Sequence, residues 1–219
     1  MKINKIEIAT LAVVGSSFIL GLYFYPQLPA QMASHWNGQG QVDGYMSKPW
    51  GVFFMPGLMT LFSIVLAALP RFDRIKASLA SFRQYYDGFT LVFVSFLTVI
   101  YIQTLLWNLN VRVNVFLTLC VSFGLFWFYI GILLEKTQPN PIIGIRTPWT
   151  LRSDRVWEKT HKLGGKLFRV AGIATAFGAL FPQWAIGFII LPMAIVTLYT
   201  LIYSYQQYRQ EQVSANRGN

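Results

Sequence analysis

Six apolar runs alternate with shorter polar stretches along this chain. They cover residues 6–25, 50–69, 88–107, 113–134, 167–181 and 184–205. All but the fifth have about the twenty residues that an α-helix needs to cross the hydrocarbon core of a bilayer. The sequence therefore predicts an all-α integral membrane protein with six transmembrane helices.

The fifth run is too short to cross a bilayer by itself. It can do so if Lys166 and Arg169 extend their long side chains to the membrane surface, or if a preceding helix continues into it. The pattern leaves both ways open.

A short basic amphipathic helix is predicted just before this run, over residues 153–163. Ser153 is a suitable N-cap, and Asp154 follows in the first turn, where the helix dipole favours an anion. With charged residues on the opposite face, apolar positions recur at helical spacing at Val156, Trp157, Thr160 and Leu163. The pattern is typical of a cytoplasmic helix along the membrane surface, and it also fits a capped connector with lysines at the membrane edge.

Composition excludes an ordinary soluble domain. Hydrophobic residues make up 54% of the chain and charged residues 12%, about half the charged fraction of a soluble globular domain. In a soluble protein the formal charge of +10 would suggest nucleic acid. Here the basic residues flank apolar runs, where anionic membrane lipid accounts for them. We expect a multi-pass protein of the cell membrane, with lipid as a partner and no direct contact with nucleic acid.

The basic residues also predict the topology. If the N-terminus is cytoplasmic, only Lys48 and Arg112 of the 18 Lys and Arg residues lie outside. Positive charge accumulates on the cytoplasmic side of membrane proteins. We therefore predict that both termini and the long polar segment 139–166 are cytoplasmic.

The predicted outer segment, residues 26–49, is one candidate site. It is rich in Gly, Asn and Gln, and Asp43-Gly44 is a turn signal. The imidazole of His35 with the oxygen groups of Asn37 and Asp43 is a weak metal or polar-ligand signal, and we expect no bound metal. The candidate residues of this segment are His35, Trp36, Asn37, Asp43, Gly44, Tyr45 and Lys48.

The predicted inner segment is the other candidate site. Gly144 and Pro148 flank Arg146 in a stiff turn, which would aim its guanidinium at a carboxylate, a lipid phosphate or helix-end carbonyls. Arg146 either caps the fourth or fifth helix or contacts a partner, and the sequence leaves both hypotheses open. The candidate residues here are Gly144, Arg146, Thr147, Pro148, Trp149, Arg152, Ser153, Trp157, Thr160 and His161.

The sequence offers no catalytic set. It has no H-E-x-x-H, G-x-S-x-G or P-loop motif, and its two histidines lie on opposite predicted sides. No ionisable side chain falls in the middle of an apolar run, where coupled transporters usually place one. We expect no enzyme activity and no cofactor. Pro56 and Pro192 inside apolar runs favour the alternative, a small-molecule permease or membrane enzyme with a site between the helices.

Two motifs resemble those of a known family. The first, from Gly144 to Gly165, is G-I-R-T-P-W-T-L-x-S-x-x-V-W-x-x-T-H-x-x-G-G, and it is similar to the signature of the SdpI family of bacterial membrane proteins. The second, from Pro29 to Lys48, is P-x-x-x-x-x-H-W-N-x-x-G-x-x-D-G-Y-x-x-K. It resembles a small domain of unknown function often found at the start of such proteins.

The resemblance implies both an organisation and a function. Residues 1–69 would form the domain of unknown function, with two transmembrane helices around the outer loop 26–49. Residues 70–219 would form an SdpI-like four-helix region with its signature loop at 139–166. The family resemblance implies immunity to a secreted antimicrobial toxin peptide on the outer side. It also implies signalling, in which an ArsR-like cytosolic repressor is held at the membrane on the inner side.

Overall fold

The computed structural model describes residues 4–217 and is largely helical. Within this range the elements are α1 (Lys5–Phe24), β1 (Gln31–Trp36), β2 (Val42–Ser47), α2 (Lys48–Ala68), α3 (Asp73–Leu79), α4 (Arg83–Asn108), α5 (Val115–Lys136), α6 (Asp154–Phe177) and α7 (Ala185–Arg217). Six of these helices, all except α3, are long and apolar enough to cross a membrane. The prediction of a membrane protein with six transmembrane helices is confirmed.

Several helices extend beyond the apolar runs that predicted them. Helix α4 begins at Arg83 and not at position 88, and α7 continues past position 205 to Arg217. A helix needs apolar residues only inside the hydrocarbon core, so hydropathy marks the membrane-crossing part and not the helix end. The basic stretch after α2 contains the short helix α3, which no apolar run indicated.

The predicted amphipathic helix and the predicted fifth run form one continuous helix, α6. The stretch 153–163 is helical as predicted, with Ser153 at the N-cap and Trp157 only 1% exposed. It is not a separate element along the membrane surface, because α6 continues through Gly164 and Gly165 without a break. Of the two ways open to the fifth run, continuation from the preceding helix is the one observed.

Glycines bring the backbones of α5 and α6 together. Gly124 and Gly131 on α5 lie against Gly172 and Gly165 on α6, respectively. A Cβ added at any of the four would overlap the neighbouring helix, including a glycine carbonyl oxygen directly opposite. Small residues allow this close approach at helix contacts in membranes. The α5–α6 contact is the most extensive between helices in the described chain.

Helix α4 joins two groups of helices. The first group consists of α1 and α2, which pack directly on α4. The second group consists of α5, α6 and α7, and of these α5 packs on α4. Arg83 on α4 bonds to Asp87 through Nε (2.7 Å) and to Glu7 on α1 through Nη2 (3.3 Å). These charges lie near helix ends, where water or headgroups can reach them. Fully buried residues in the core of the first group are Met32, Val52, Met59, Val94 and Tyr101.

The predicted outer segment forms an antiparallel hairpin of β1 and β2. Its pairing runs from Gln31↔Ser47 to Trp36↔Val42, with register shifts around His35. Asn37 closes the turn, because its side-chain oxygen accepts two backbone N–H groups at 3.0 Å. A hairpin of this size needs packing to be stable, and the fully buried Met32 supplies it against the start of α2.

The bundle has two opposite ends. The hairpin end contains β1, β2 and the connections α4–α5 and α6–α7. The loop end contains α3 and the α5–α6 loop, residues 137–153. According to the predicted topology, the hairpin end faces outwards and the loop end faces the cytoplasm.

Candidate functional site

The α5–α6 loop is folded around the buried Asn140. Its side-chain oxygen accepts the N–H groups of Ile142 (2.9 Å) and Ile143 (2.7 Å). Its Nδ2 donates to the carbonyl oxygens of Gln138 and Ile143, both at 2.8 Å. One side chain thus satisfies four backbone groups that a buried loop would otherwise leave unpaired. The loop has a defined conformation from the point where it leaves α5.

Trp157 and His161 of α6 form the floor beneath this loop. Their rings stack with centroids 4.0 Å apart, and Trp157 Nε1 donates to the carbonyl oxygen of Thr137 at 3.2 Å. His161 Nδ1 donates to the carbonyl oxygen of Trp157 at 2.8 Å, and its Nε2 accepts the N–H of Ile145 at 2.8 Å. An imidazole that donates at one nitrogen and accepts at the other is neutral. His161 therefore has a structural role, because it holds the loop on α6.

Gly144 allows the loop to lie directly on this pair of rings. Its φ is 136°, in a region that residues with a side chain rarely adopt. A Cβ here would overlap His161 Nε2 and would stand 2.9 Å from the Trp157 ring. The position therefore requires glycine for two independent reasons.

The next turn docks the loop on α7. The N–H of Thr147 donates to Thr150 Oγ1 at 2.9 Å, and the N–H of Thr150 donates to Thr147 Oγ1 at 3.1 Å. Thr147 Oγ1 also donates to Ser204 Oγ on α7 (3.4 Å). Trp149 packs edge-on against Tyr205, with ring centroids 5.3 Å apart. With the bond from Ile145 to His161 on α6, this fixes the loop to two transmembrane helices.

The ten candidate residues of this segment differ in burial. Thr147, Trp157, Thr160 and His161 are buried, Gly144, Trp149 and Ser153 are half-buried, and Arg146, Pro148 and Arg152 are exposed. Arg146 has no hydrogen bond or ion pair within the described part of the chain. Capping of the fourth or fifth helix by Arg146 is therefore not observed there, and its guanidinium is free to contact another molecule.

A cavity of about 830 Å³ lies beside the loop, at the end of α5 and the start of α6. Arg169 pairs with Glu135 across it and ties α6 to α5. The other charged side chains in its lining are Lys136, Asp154, Arg155, Glu158, Lys162 and Lys166. Cations outnumber carboxylates among them, so the cavity suits an anionic group such as a carboxylate or a phosphate.

Six of the seven candidate residues of the outer segment lie in the hairpin and Lys48 begins α2, but they do not converge on one point. His35 Nδ1 and Asp43 Oδ1 form a cross-strand pair of 2.5 Å on the exposed face. Gly44 lies opposite His35, where a Cβ would be 2.9 Å from that of His35. Tyr45 is 65% exposed. The described residues contain no group of three His, Cys, Asp or Glu side chains that could hold a metal ion.

Three further candidates attach the hairpin or close its turn. Trp36 packs edge-on against Trp107 of α4, with ring centroids 5.5 Å apart. Lys48 Nζ donates to the carbonyl oxygen of Tyr25 at 3.2 Å and lies over its ring. Asn37 holds the turn itself. These residues therefore position the hairpin on the helices.

A crevice of about 350 Å³ lies under the hairpin, between α2 and α5, with α4 as its floor. Its polar floor is internally bonded, because Thr118 Oγ1 donates to Gln103 Oε1 at 2.7 Å and Gln103 Nε2 donates to a backbone carbonyl. Trp36 Nε1 is buried at this site and has no hydrogen-bond partner in the described residues. The apolar wall residues are Phe54, Met55, Ile100, Val115, Phe116 and Leu119.

Two amides that organise these sites were not predicted from the sequence. Asn108, at the end of α4, binds both backbone groups of Ala33 on β1, accepting at 2.8 Å and donating at 3.0 Å. Asn140 plays the corresponding role at the loop end. The signals available in the sequence were that Asn108 directly follows an apolar run and that Asn140 lies between Pro139 and Pro141.

The chain is similar to known proteins in two segments and over most of its length. Residues 12–60 match a domain of unknown function, DUF1648, and residues 136–204 match the SdpI/YfhL protein family. Immunity protein SdpI of Bacillus subtilis (strain 168) is 26% identical over 200 residues, which cover 91% of this chain and 92% of that relative. No solved structure matches the chain. With its six apolar helices and the folded loop between α5 and α6, this chain is a multi-pass membrane protein that is similar to the SdpI/YfhL family over residues 136–204.

Proposed function

We propose that this protein gives a cell immunity to a secreted antimicrobial toxin peptide. The observation that carries the proposal is the extent of the similarity to Immunity protein SdpI, which covers 91% of this chain and 92% of that relative. A similarity of this length includes the hairpin end, the bundle and the loop end, and is not confined to one motif.

The two ends of the bundle differ in which molecules can reach them. Under the predicted topology, only the hairpin end is accessible to a peptide that arrives from outside. It presents exposed aromatic and polar side chains such as Tyr45 and the His35–Asp43 pair. Protection by binding requires no catalytic group. We therefore propose that the protein acts by contact with the peptide in the membrane.

The direct test is survival. The chain is expressed in Bacillus subtilis cells that lack their own SdpI, and the peptide to which SdpI gives immunity is added. We expect the lowest growth-inhibiting concentration to rise well above that of cells with an empty vector, and towards that of cells with SdpI restored. Equal sensitivity to the vector cells, despite abundant protein in the membrane, would contradict the proposal.

We also propose signalling through the loop end, where an ArsR-like repressor would be held at the membrane when toxin is present. The observation that favours it is Arg146, exposed on a loop whose backbone is fixed by Asn140, Gly144 and His161. A guanidinium on a rigid support suits bidentate contact with a carboxylate of a partner. The basic cavity next to it adds attraction for an acidic surface.

The alternative of a permease or membrane enzyme has less support. The 830 Å³ cavity lies at the loop end of α5 and α6, whereas transporters usually bind substrate near the bilayer midplane. Pro56 and Pro192 lie inside the unbroken helices α2 and α7. Broken helices, which would line such a midplane site, are not seen at either proline.

A further inference from the structure

The cavity beside the α5–α6 loop has a definite order of charges along α6. Asp154 and Glu158 lie in the first turns of the helix, farthest from its apolar part. Lys162 and Lys166 follow at the next two turns and also line the cavity. The lysines of α6 therefore lie on the side of the cavity nearest the membrane.

Three ammonium groups in this lining lack an anionic partner. Lys162 and Lys166, together with Lys136 at the end of α5, are exposed. None of them makes a hydrogen bond or an ion pair within the described part of the chain. The neighbouring carboxylate of Glu135 is already paired with Arg169. An anion in the cavity would therefore meet three ammonium groups that no carboxylate of the described chain neutralises.

The lysine face of α6 continues as an apolar stripe. Val170, Ile173 and Phe177 follow Lys166 at spacings of three or four residues, and their exposed fractions are 63%, 61% and 53%. Residues at this spacing share one face of a helix. The rise from Lys166 to Phe177 is about 16 Å, close to half the thickness of the hydrocarbon core. The face thus presents basic side chains first and then an apolar surface as deep as one leaflet.

This order of chemistry matches that of a phospholipid, which has a phosphate at the membrane surface and acyl chains that extend towards the midplane. Ammonium groups donate charge-assisted hydrogen bonds to phosphate oxygens, and basic pockets between transmembrane helices bind such headgroups. An acidic protein surface would satisfy the lysines but would not extend along Val170 and Ile173, which belong to the membrane-crossing helix. The continuous stripe therefore favours a lipid.

We propose that the cavity binds one anionic phospholipid. Its phosphate accepts hydrogen bonds from Lys136, Lys162 and Lys166, and an acyl chain lies along the exposed apolar stripe of α6. The site does not depend on the immunity function. The repressor contact proposed above depends on Arg146, which is outside the cavity lining, and an acidic repressor surface in the cavity itself is one outcome of the test.

The test replaces the two lysines of α6. Lys162→Gln with Lys166→Gln removes both charges but keeps long side chains of similar helix propensity. The matched control is Lys5→Gln with Lys76→Gln, which removes two exposed lysines at the same end of the bundle, outside the cavity lining. Lys162→Arg with Lys166→Arg keeps the charge. Each purified protein is titrated with anionic phosphatidylglycerol or zwitterionic phosphatidylcholine, bound lipid is counted by native mass spectrometry, and the melting temperature is measured without lipid.

We expect the parent protein to hold one phosphatidylglycerol more tightly than phosphatidylcholine. Each lysine near an anionic headgroup contributes about fivefold in affinity, so the double glutamine variant should bind phosphatidylglycerol about 25-fold more weakly. The control and the arginine variant should bind like the parent, and all variants should melt like it.

Three results would overturn the proposal. Equal binding of both lipids by the parent, or an equal loss in the control, would mean that positive charge attracts lipid to this end without a site. Complete displacement of the lipid by inorganic phosphate would assign the cavity to a free anion. Unchanged lipid binding in the glutamine variant, with retention of a co-expressed repressor lost, would assign the lysines to an acidic protein surface.

A second measurement locates the acyl chain on the unaltered protein. Phosphatidylglycerol with a diazirine in its acyl chain is mixed into phosphatidylcholine bilayers that contain the parent chain, and the sample is irradiated. We expect the adducts to concentrate on residues 166–177 of α6 and to decrease in the double glutamine variant. Adducts spread evenly over the exposed apolar faces of α1, α2 and α7 would show general lipid contact and contradict the site.

Discussion

Arg146 is exposed on a loop whose buried residues hold it on α6 and α7. Gly144 and Thr147 lie against α6 and α7, whereas the Arg146 guanidinium is exposed and unpaired within the described chain. We expect Arg146→Lys to leave membrane abundance and thermal stability unchanged, because exposed substitutions usually change stability by less than about 0.5 kcal/mol. Retention of an ArsR-like repressor at the membrane should fall, since lysine keeps the charge but loses the bidentate fork.

The readout for Arg146 is the membrane-bound fraction of a fluorescently tagged ArsR-like repressor that is co-expressed with this protein, with toxin present. Arg152→Lys is the matched control, as another exposed arginine of the same loop. Unchanged retention in Arg146→Lys would mean that Arg146 contributes only positive charge to the loop end. A loss of stability in this variant would favour the structural explanation that the sequence left open.

At the same scale, the motif at the loop end does not reveal from the sequence what each of its residues does in the structure. Gly144, Trp157 and His161 share one motif with Arg146, yet the first three form the support beneath the loop. The reason is that His161 accepts a hydrogen bond from Ile145, 16 residues earlier in the chain. A contact across a loop of that length leaves no periodic trace, so the spacing alone could not separate the support from the exposed arginine.

At the scale of elements, the glycine contacts between α5 and α6 make a specific prediction. Gly131→Val and Gly172→Val each add a branched side chain where even a Cβ would overlap the facing backbone. Overpacking of this kind costs about 1–3 kcal/mol or more, so we expect a clear fall in melting temperature in detergent. Gly15→Val in α1 is the control, because an added Cβ there meets no atom within 4 Å. Similar melting temperatures for all three variants would contradict the described α5–α6 packing.

The helices that cross the bilayer could be predicted from the sequence, because their apolar side chains must face the hydrocarbon core. Each apolar run became a helix, since lipid offers no partners for backbone groups. Polar stretches gave no such signal, and the hairpin and α3 were missed. The fifth run appeared too short because α6 is amphipathic in its first turns, where Asp154, Arg155, Glu158 and Lys159 interrupt the apolar positions. Its helix is stabilised by packing on α5, a tertiary contact that hydropathy does not register.

For the whole molecule, the proposed functions require two ends of the bundle with different partners. The hairpin end presents the exposed Tyr45 and the His35–Asp43 pair, and the loop end has an exposed arginine beside a basic cavity. A toxin peptide outside and a repressor inside fit these ends only if the hairpin faces outwards. The uneven distribution of Lys and Arg predicts this orientation, and it is the assumption that both proposals share.

The most direct test of that shared assumption is thiol accessibility in intact cells. Single cysteines are introduced as Gln39→Cys in the hairpin turn and Arg152→Cys in the α5–α6 loop, both at exposed positions. The background is Cys120→Ser, which removes the single native cysteine. A membrane-impermeant maleimide is expected to label position 39 in intact cells and position 152 only after permeabilisation. Labelling of position 152 in intact cells, with position 39 protected until permeabilisation, would reverse the topology and contradict the placement of both partners.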